Sequence, residues 1–184
     1  MNLAIKRAAD TLLAGGIIAY PTEGVFGLGC MPDVPRALAR LVALKGRDPA
    51  KGMILIAASR DQFEGFVTDS DLDRLPPPDP TSPITWIAAP GPRTHALVRG
   101  ANTGVAIRIS TNAVAAGICD AVQSPITSTS ANLSGQPVSR HRVQLLRTFR
   151  HRVDYVVPGD CGPASGPSEI RVLADGKILR PGKR

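Results

Sequence analysis

The chain has 184 residues, of which 43% are hydrophobic and only 4% aromatic, and its formal net charge is +7. This length fits a single domain over residues 1–184 with an aliphatic core, and it is too short for two domains of ordinary size. No apolar run approaches the ~20 residues that span a bilayer, and residues 1–6 lack the pattern of a signal peptide. We therefore expect a cytoplasmic protein without a membrane partner.

Charge and cysteine content restrict the function further. Residues 1–92 hold nine Lys/Arg and ten Asp/Glu, whereas residues 93–184 hold thirteen and five. This asymmetry favours an anionic partner such as a nucleotide, a phosphate or RNA, although a basic face kept for solubility explains it equally well. The three cysteines are far apart and form no Cys-x-x-Cys motif, so we expect neither a zinc site nor a disulfide framework.

The first predicted elements alternate between helix and strand. Asn2 can cap a helix over 3–14, whose apolar face holds Ile5, Ala8, Ala9, Leu12 and Leu13. A strand over 17–20 runs into Pro21, Thr22 and three glycines, which predict a turn whose backbone comes close to a ligand. Asp33 then predicts the cap of a helix over 34–44, and a continuous apolar run predicts a buried strand over 53–57.

The remaining elements predict the class of fold. In chain order they are an exposed acidic and proline-rich loop over 69–83, strands over 84–89 and 105–109, a helix over 112–122, a strand over 126–129, a helix over 140–150, and strands over 153–157, 169–173 and 177–179. This alternation predicts one α/β domain with a largely buried, mixed sheet.

Two clusters of polar residues indicate a site for anionic groups. Lys45, Arg47 and Lys51 follow the second helix, and three cations so close together gain most where anionic oxygens gather. Alternatively, they complement the helix dipole on a solvated surface. The second cluster is the run Pro-Ile-Thr-Ser-Thr-Ser-Ala-Asn-Leu-Ser-Gly at 125–135, whose hydroxyl groups suit phosphate oxygens or a metal-bound phosphate. An ordinary Ser/Thr turn is the alternative here.

Other charged residues are less specific. Arg108 lies on a predicted buried strand, so it must meet a carboxylate from the protein or from a ligand. Residues 140–152 hold five arginines and two histidines, which form either a solvated basic face or a contact with RNA. The chain contains no Gly-x-Ser-x-Gly elbow, no Walker A motif and no Gly-x-Gly-x-x-Gly fingerprint.

Three segments together resemble the YrdC/Sua5 family in its short, single-domain form. They read Tyr-Pro-Thr-Glu-Gly-Val-Phe-Gly-Leu-Gly-Cys at 20–30, Leu-Lys-Gly-Arg-Asp-Pro-Ala-Lys-Gly-Met-Ile-Leu-Ile-Ala-Ala at 44–58, and Ser-Thr-Ser-Ala-Asn-Leu-Ser-Gly at 128–135. Pro167–Arg171 adds a fourth match. The likeness implies an open, twisted mixed sheet with flanking helices and a large basic cavity. The chain departs from the family's sequence pattern at residues 109–113, where relatives more often have His-Pro, and at Val172, where they commonly have Asp.

The resemblance also implies a reaction. L-threonine, bicarbonate and ATP give L-threonylcarbamoyladenylate and pyrophosphate, on the route to N6-threonylcarbamoyladenosine in tRNA. Mg²⁺ enters with ATP, without a metal site built from protein side chains, and neither zinc nor an organic cofactor is expected. The implied partners are the proteins that transfer the product to tRNA, with a weak RNA contact through residues 140–152. Attack on the α-phosphorus brings anionic oxygens together, so positioning and charge neutralisation suffice without a protein nucleophile.

By the same resemblance, each site residue has an expected role. The expected catalytic residues match the Lys-x-Arg and Ser-x-Asn signatures: Lys45, Arg47, Ser130 and Asn132. The threonine pocket is expected to contain Thr22, Arg108 and Ser128, with Arg108 at the substrate carboxylate. The nucleotide site adds Lys51, Ser168 and Arg180.

Two other hypotheses stand beside this one. A non-catalytic RNA-binding module would use the basic C-terminal half, although the few aromatic side chains leave little for base stacking. A carbamoyl-transfer domain like that of hydrogenase maturation proteins would need the extra length and cysteines that this chain lacks.

Overall fold

A computed structural model describes residues 2–164 and 166–182 of the chain. Its helices are α1 (Leu3–Leu13), α2 (Pro35–Lys45), α3 (Asp69–Arg74), α4 (Ala96–Arg99), α5 (Ala113–Val122) and α6 (Arg142–Phe149). Its strands are β1 (Ile18–Pro21), β2 (Phe26–Gly29), β3 (Ile54–Ala57), β4 (Ile84–Ala88), β5 (Val105–Ile109), β6 (Ile126–Ser130), β7 (Tyr155–Val156), β8 (Glu169–Val172) and β9 (Ile178–Arg180). Short 3₁₀ turns cover Pro49–Lys51 and Asp61–Phe63.

The strands in the described part of the chain form one mixed sheet in the order β7-β1-β2-β6-β3-β5-β4-β8-β9. The pairs β1–β7, β3–β5 and β4–β8 are parallel, and the other neighbours are antiparallel. The predicted single α/β domain with a mixed sheet is therefore confirmed.

Alternate residues of the strands pack into two cores on opposite faces of the sheet. Ile18 and Tyr20 of β1 pack with α1 and α5, whereas Ile17 and Ala19 pack with α2 and α6. This division follows from the two-residue period of a strand. Strand β3 contributes Leu55 to one core and Ile56 to the other, so it reads as a continuous apolar run in the sequence.

The prediction of a glycine-rich turn over 20–30 was wrong in part, because residues 26–29 form β2. Gly27 and Gly29 lie in this strand, and a Cβ atom at Gly29 would lie only 2.2 Å from the carbonyl oxygen of Thr127. Glycine is depleted in strands, so the sequence pattern did not predict β2. The glycines let β2 lie close to β6 and to the ring of Tyr20.

Three local predictions also need correction. Asp33 does not cap α2 with its side chain; it forms an ion pair with Arg93 at 3.3 Å, and Val34 is the N-cap. The loop predicted over 69–83 begins with the helix α3, and α4 has no counterpart among the predicted elements. Leu13 was assigned to the buried face of α1 but is 62% exposed. None of the described helices is long and apolar enough to cross a membrane.

Candidate active site

A cavity of about 640 Å³ opens over the middle of the sheet. Its floor includes a row of cross-strand partners, in which Ala106 of β5 faces Ile54 of β3 and Ile54 faces Ser128 of β6. The β1–β2 turn, the 3₁₀ turn over Pro49–Lys51 and strands β8 and β9 contribute to its walls. A concave site of this volume suits small-molecule ligands.

The structure brings eight of the ten sequence-predicted site residues to this cavity. They are Thr22, Arg47, Lys51, Arg108, Ser128, Ser130, Ser168 and Arg180. Lys45 and Asn132 do not line it, although both were predicted to be catalytic. They lie behind Ser130, where they support the end of β6.

The Lys45 corner, which consists of Lys45, Ser130 and Asn132, is a closed hydrogen-bond network. The Lys45 Nζ donates to the carbonyl oxygens of Ser130 and Asn132 and to Asn132 Oδ1, the last at 2.8 Å. Ser130 Oγ donates to the same Oδ1 at 2.7 Å, and Asn132 Nδ2 donates to the Gln136 carbonyl oxygen. Burial, and then the nearby Arg47, lower the pKa of Lys45 to about 8. The corner therefore holds Ser130 in place at the edge of the cavity.

Three cations surround the turn at Gly52. Arg47 Nε donates to the Gly52 carbonyl oxygen at 3.1 Å, while Lys51 and Arg99 line the cavity on either side. Gly52 has φ +59°, and a Cβ atom there would lie 2.6 Å from the Arg99 carbonyl oxygen, so the turn packs directly on α4. Within residues 2–164 and 166–182, neither Lys51 nor Arg99 forms an ion pair. The sequence reasoning missed Arg99 because its helix was not predicted.

Arg108 and Glu23 form a buried ion pair at the other end of the cavity. Arg108 Nη2 lies 3.1 Å from Glu23 Oε2, and the two residues are only 7% and 3% exposed. The prediction that Arg108 meets a carboxylate is thus confirmed, with Glu23 as its partner. Burial raises the pKa of Glu23, but the Arg108 charge and the hydrogen bond from Ser110 outweigh it, so the pKa lies below its ordinary value. The sequence did not predict a role for Glu23, although it is the one acid in the segment 19–30.

Thr22, Gly27 and Ser128 form a small polar surface beside this pair. The Thr22 hydroxyl donates to the Val25 carbonyl oxygen at 2.6 Å, which leaves its oxygen free to accept a hydrogen bond. A Cβ atom at Gly27 would lie 3.3 Å from both Thr22 Cγ2 and Ser128 Oγ. The absent side chain at Gly27 therefore keeps a gap between the two hydroxyl residues.

Ser168, which directly precedes β8, and Arg180 of β9 line the cavity from the edge of the sheet. Ser168 Oγ shares a hydrogen bond with Thr85 Oγ1 at 2.7 Å, and Arg180 Nη2 donates to the Ser168 carbonyl oxygen at the same distance. Burial and the charge of Arg108 lower the pKa of Arg180. Two arginine side chains thus repel each other across this end of the cavity, which favours an anion between them.

The described lining residues include five basic side chains and one acidic side chain, Glu23. Both oxygens of Glu23 already lie within 3.1 Å of protein nitrogen or oxygen atoms. Since Mg²⁺ prefers carboxylate and phosphate oxygens, this lining suits an ion that enters on the phosphates of a nucleotide better than one resident on the protein.

Comparison with known proteins places these features in a family. Residues 10–182 match the Sua5/YciO/YrdC family model, described as "Telomere recombination". The chain is 41% identical over 184 residues to the threonylcarbamoyl-AMP synthase of Cellvibrio japonicus, covering 98% of this chain and 97% of that protein. It is 40% identical over 182 residues to the threonylcarbamoyl-AMP synthase of Nitrosococcus oceani, covering 97% and 98%.

The fold is similar to that of a solved structure that contains an amino acid. P. abyssi Sua5 complexed with L-threonine superposes with a TM-score of 0.86 at 25% sequence identity. The match covers 97% of this chain and 54% of the Sua5 chain, so this chain spans about half the length of that protein.

Proposed function

Because this chain belongs to the Sua5/YciO/YrdC family, we propose that it makes L-threonylcarbamoyladenylate and pyrophosphate from L-threonine, bicarbonate and ATP. One observation carries the proposal: a single cavity has a buried Arg108 at one end and three cations, Arg47, Lys51 and Arg99, at the other. Relatives about 40% identical over nearly their whole length bear the name of this enzyme. The Sua5 structure with L-threonine supports an amino-acid ligand for this fold.

The Arg108 end suits the amino acid. Arg108 is nine-tenths buried, and its Nε has no hydrogen-bond partner among the described residues, which favours a carboxylate from a ligand. The Thr22 oxygen can accept a hydrogen bond from the ammonium or hydroxyl group of threonine, and Ser128 can donate one. These roles agree with those that the resemblance implies for Thr22, Arg108 and Ser128.

The three-cation end suits the polyphosphate of ATP. Arg47 can grip phosphate oxygens bidentately, and Lys51 and Arg99 add charge around the turn at Gly52. The Ser130 hydroxyl, held by the Lys45 corner, lies between this end and the floor. Mg²⁺ arrives with ATP and is held there by the phosphates. Ser168 and Arg180 would contact the nucleotide where it meets the amino acid, because Arg180 lies close enough to Arg108 to feel its charge.

The chemistry needs no nucleophile from the protein. The threonine nitrogen forms a bond to the carbon of bicarbonate with loss of water, and an oxygen of the resulting carbamate attacks the α-phosphorus of ATP. The bond from that phosphorus to the bridging oxygen breaks, and pyrophosphate leaves with the electron pair. The cavity lowers the barrier by alignment and by neutralising the anionic oxygens that meet.

The product is a reactive mixed anhydride, so we propose that cytoplasmic transfer proteins pass its threonylcarbamoyl group to tRNA. The exposed arginines of residues 140–152 would supply a weak contact with RNA beside that step. As a function without catalysis, RNA binding is the weaker alternative, because it assigns no role to the cavity and its buried arginine.

The test is pyrophosphate release from ATP by the purified chain, measured with and without L-threonine and with and without bicarbonate. We expect release to need both substrates and ¹⁴C-bicarbonate to enter an adenylate. L-serine and D-threonine serve as matched controls for the amino acid. Pyrophosphate release that ignores threonine would refute the proposal.

A further inference from the structure

Glu23 is fixed by more contacts than a simple ion pair requires. Its Oε1 accepts a hydrogen bond from Ser110 Oγ at 2.6 Å and another from the backbone N–H of Thr111 at 3.0 Å. Its Oε2 faces Arg108 Nη2 at 3.1 Å. Hydrogen bonds hold the carboxylate at Oε1, whereas Oε2, which accepts no hydrogen bond among the described residues, contacts the Arg108 guanidinium as an ion pair.

The same segment also holds the neighbouring residue of the turn. Asn112 Nδ2 donates to the Thr22 carbonyl oxygen at 3.2 Å. Its Oδ1 accepts from the backbone N–H groups of Val114 and Ala115, so Asn112 is at once the N-cap of α5. The segment 110–112 thus joins β5 to α5 and ties both Thr22 and Glu23 to that junction.

The segment itself lies outside the cavity. Ser110, Thr111 and Asn112 are not among the residues that line it, whereas Thr22, Glu23 and Arg108 are. The segment supplies three hydrogen bonds to the turn, two from the side chains of Ser110 and Asn112 and one from the backbone N–H of Thr111.

We propose that Glu23, anchored by Ser110 and Thr111, is a positioning residue that sets the affinity of the site for the amino-acid substrate by orienting Arg108, while Asn112 holds the adjacent Thr22. The inference rests on the proposed function, and it assigns to the segment 110–112 an effect on threonine but not on ATP. The phosphate-binding cations lie around Gly52, and within residues 2–164 and 166–182 the hydrogen bonds of the Arg47 side chain go to Gly52 and Lys51 and not to this segment.

Charge supports a positioning role over proton transfer. The pKa of Glu23 lies below its ordinary value despite burial, because Arg108 and Ser110 stabilise the carboxylate. A carboxylate so stabilised is a weak base, but it is a firm anchor for a guanidinium.

The experiment measures the KM for L-threonine and the KM for ATP in Ser110→Ala and Glu23→Gln. Ser110→Ala removes one hydrogen bond to the carboxylate without touching the cavity, so we expect the KM for threonine to rise about tenfold. Glu23→Gln leaves Arg108 without its counter-ion, and we expect a rise of about a hundredfold. The KM for ATP should change less than about twofold in both variants.

Ser124→Ala is the matched control, because Ser124 is also buried and also donates one hydrogen bond, to the Pro125 carbonyl oxygen, outside the cavity. It should leave both KM values unchanged. If Glu23→Gln does not fold, Ser110→Ala alone decides. An unchanged KM for threonine in Ser110→Ala, or an equal rise for both substrates, overturns the inference.

Calorimetric titration of L-threonine into the protein without ATP separates this inference from the proposed function. If the wild type binds threonine but releases no pyrophosphate, the proposed reaction fails, and the ratio of Kd values between wild type and Ser110→Ala still decides the inference. If turnover proceeds and that ratio is one, the inference fails alone.

Discussion

Two buried cations lie beside the cavity, and the protein stabilises them in opposite ways. Lys45 donates to three neutral oxygens of Ser130 and Asn132, whereas Arg108 faces the carboxylate of Glu23. Both residues are less than a tenth exposed. Neutral oxygens offset only part of the free-energy cost of burying the Lys45 charge. The charge of Arg108 is offset by a carboxylate, so its stability depends on how well Glu23 is held in place.

This difference determines which ionisable group has a shifted pKa in each of the two places. Burial, followed by the charge of Arg47, lowers the pKa of Lys45 to about 8, so the corner titrates on the alkaline side of neutrality. In the Glu23–Arg108 pair, the Arg108 charge and the hydrogen bond from Ser110 outweigh burial and lower the pKa of Glu23. The Lys45 corner is therefore sensitive to alkaline pH, and the Glu23–Arg108 pair is sensitive to acidic pH.

The largest effect is expected from Lys45→Met. The variant removes the ammonium from three acceptor oxygens, of which only the Asn132 carbonyl oxygen has no second donor among the described residues, so the free energy of unfolding should fall by about 1–3 kcal/mol. Pyrophosphate release should fall about a hundredfold or more, because Ser130 loses its support. Urea unfolding and the pyrophosphate assay measure the two losses.

Arg47→Met sharpens the contrast, since Arg47 reaches the cavity and makes few internal contacts. Its activity should fall about a hundredfold, while its stability changes by less than about 1 kcal/mol. Lys6→Met on the exposed face of α1 should alter neither quantity. Equal stability for the Lys45 and Arg47 variants would contradict the supporting role of Lys45.

The pH dependence of stability should also distinguish the two pairs. The pKa of Lys45 falls from 10.5 to about 8 on folding, so above pH 8 the unfolded chain binds more protons than the folded one. The free energy of unfolding of the wild type should therefore rise, relative to Lys45→Met, between pH 8 and pH 10.5.

The activity should move the other way in this window, because a neutral amine has two donors for three oxygens, and we expect a several-fold loss above pH 8. The contribution of Glu23 is present above its ordinary value of 4.5 and is lost as pH falls through the lower folded pKa. Chemical unfolding across the pH range, with Lys45→Met and Glu23→Gln as references, measures both. A flat difference curve for Lys45→Met would disprove the lowered pKa.

Much of the fold could be predicted from the sequence because most elements have a strong period. The helix α1 with its Asn2 cap, the strand β5 and the helix α5 lie within one residue of their predicted bounds. The strand β2 was missed because Gly27 and Gly29 serve packing against other strands, which no local pattern records. Likewise, α4 has only four residues and depends on its packing against the turn at Gly52.

The site could be predicted to the level of its motifs but not of its geometry. The sequence placed Arg47 and Lys45 in one cluster, yet Lys45 is the last residue of α2 and Arg47 follows the left-handed C-cap Gly46, and only Arg47 reaches the cavity. The partner of Arg108 is Glu23, which lies 85 residues earlier in the chain, in a turn with no charge pattern of its own. Contacts of that kind require the register of the sheet.

The smallest effect, and the sharpest test of the phosphate end, is expected from Arg99→Ala. Arg99 is exposed at the edge of the cavity and forms no hydrogen bond with its guanidinium among the described residues, so its removal should leave the unfolding midpoint unchanged. Losing one screened contact to a phosphate should raise the KM for ATP about threefold and leave the KM for threonine unchanged. Because such a contact is screened by salt, the difference in the KM for ATP should shrink between about 50 and about 300 mM salt.

Arg150→Ala, which removes an exposed arginine beyond the end of α6, is the matched control and should leave both KM values as they are. If Arg99→Ala raised the KM for threonine instead, the assignment of the two ends would be wrong. Threonine would then bind near the cations around Gly52, and the phosphates of ATP would bind near Arg108.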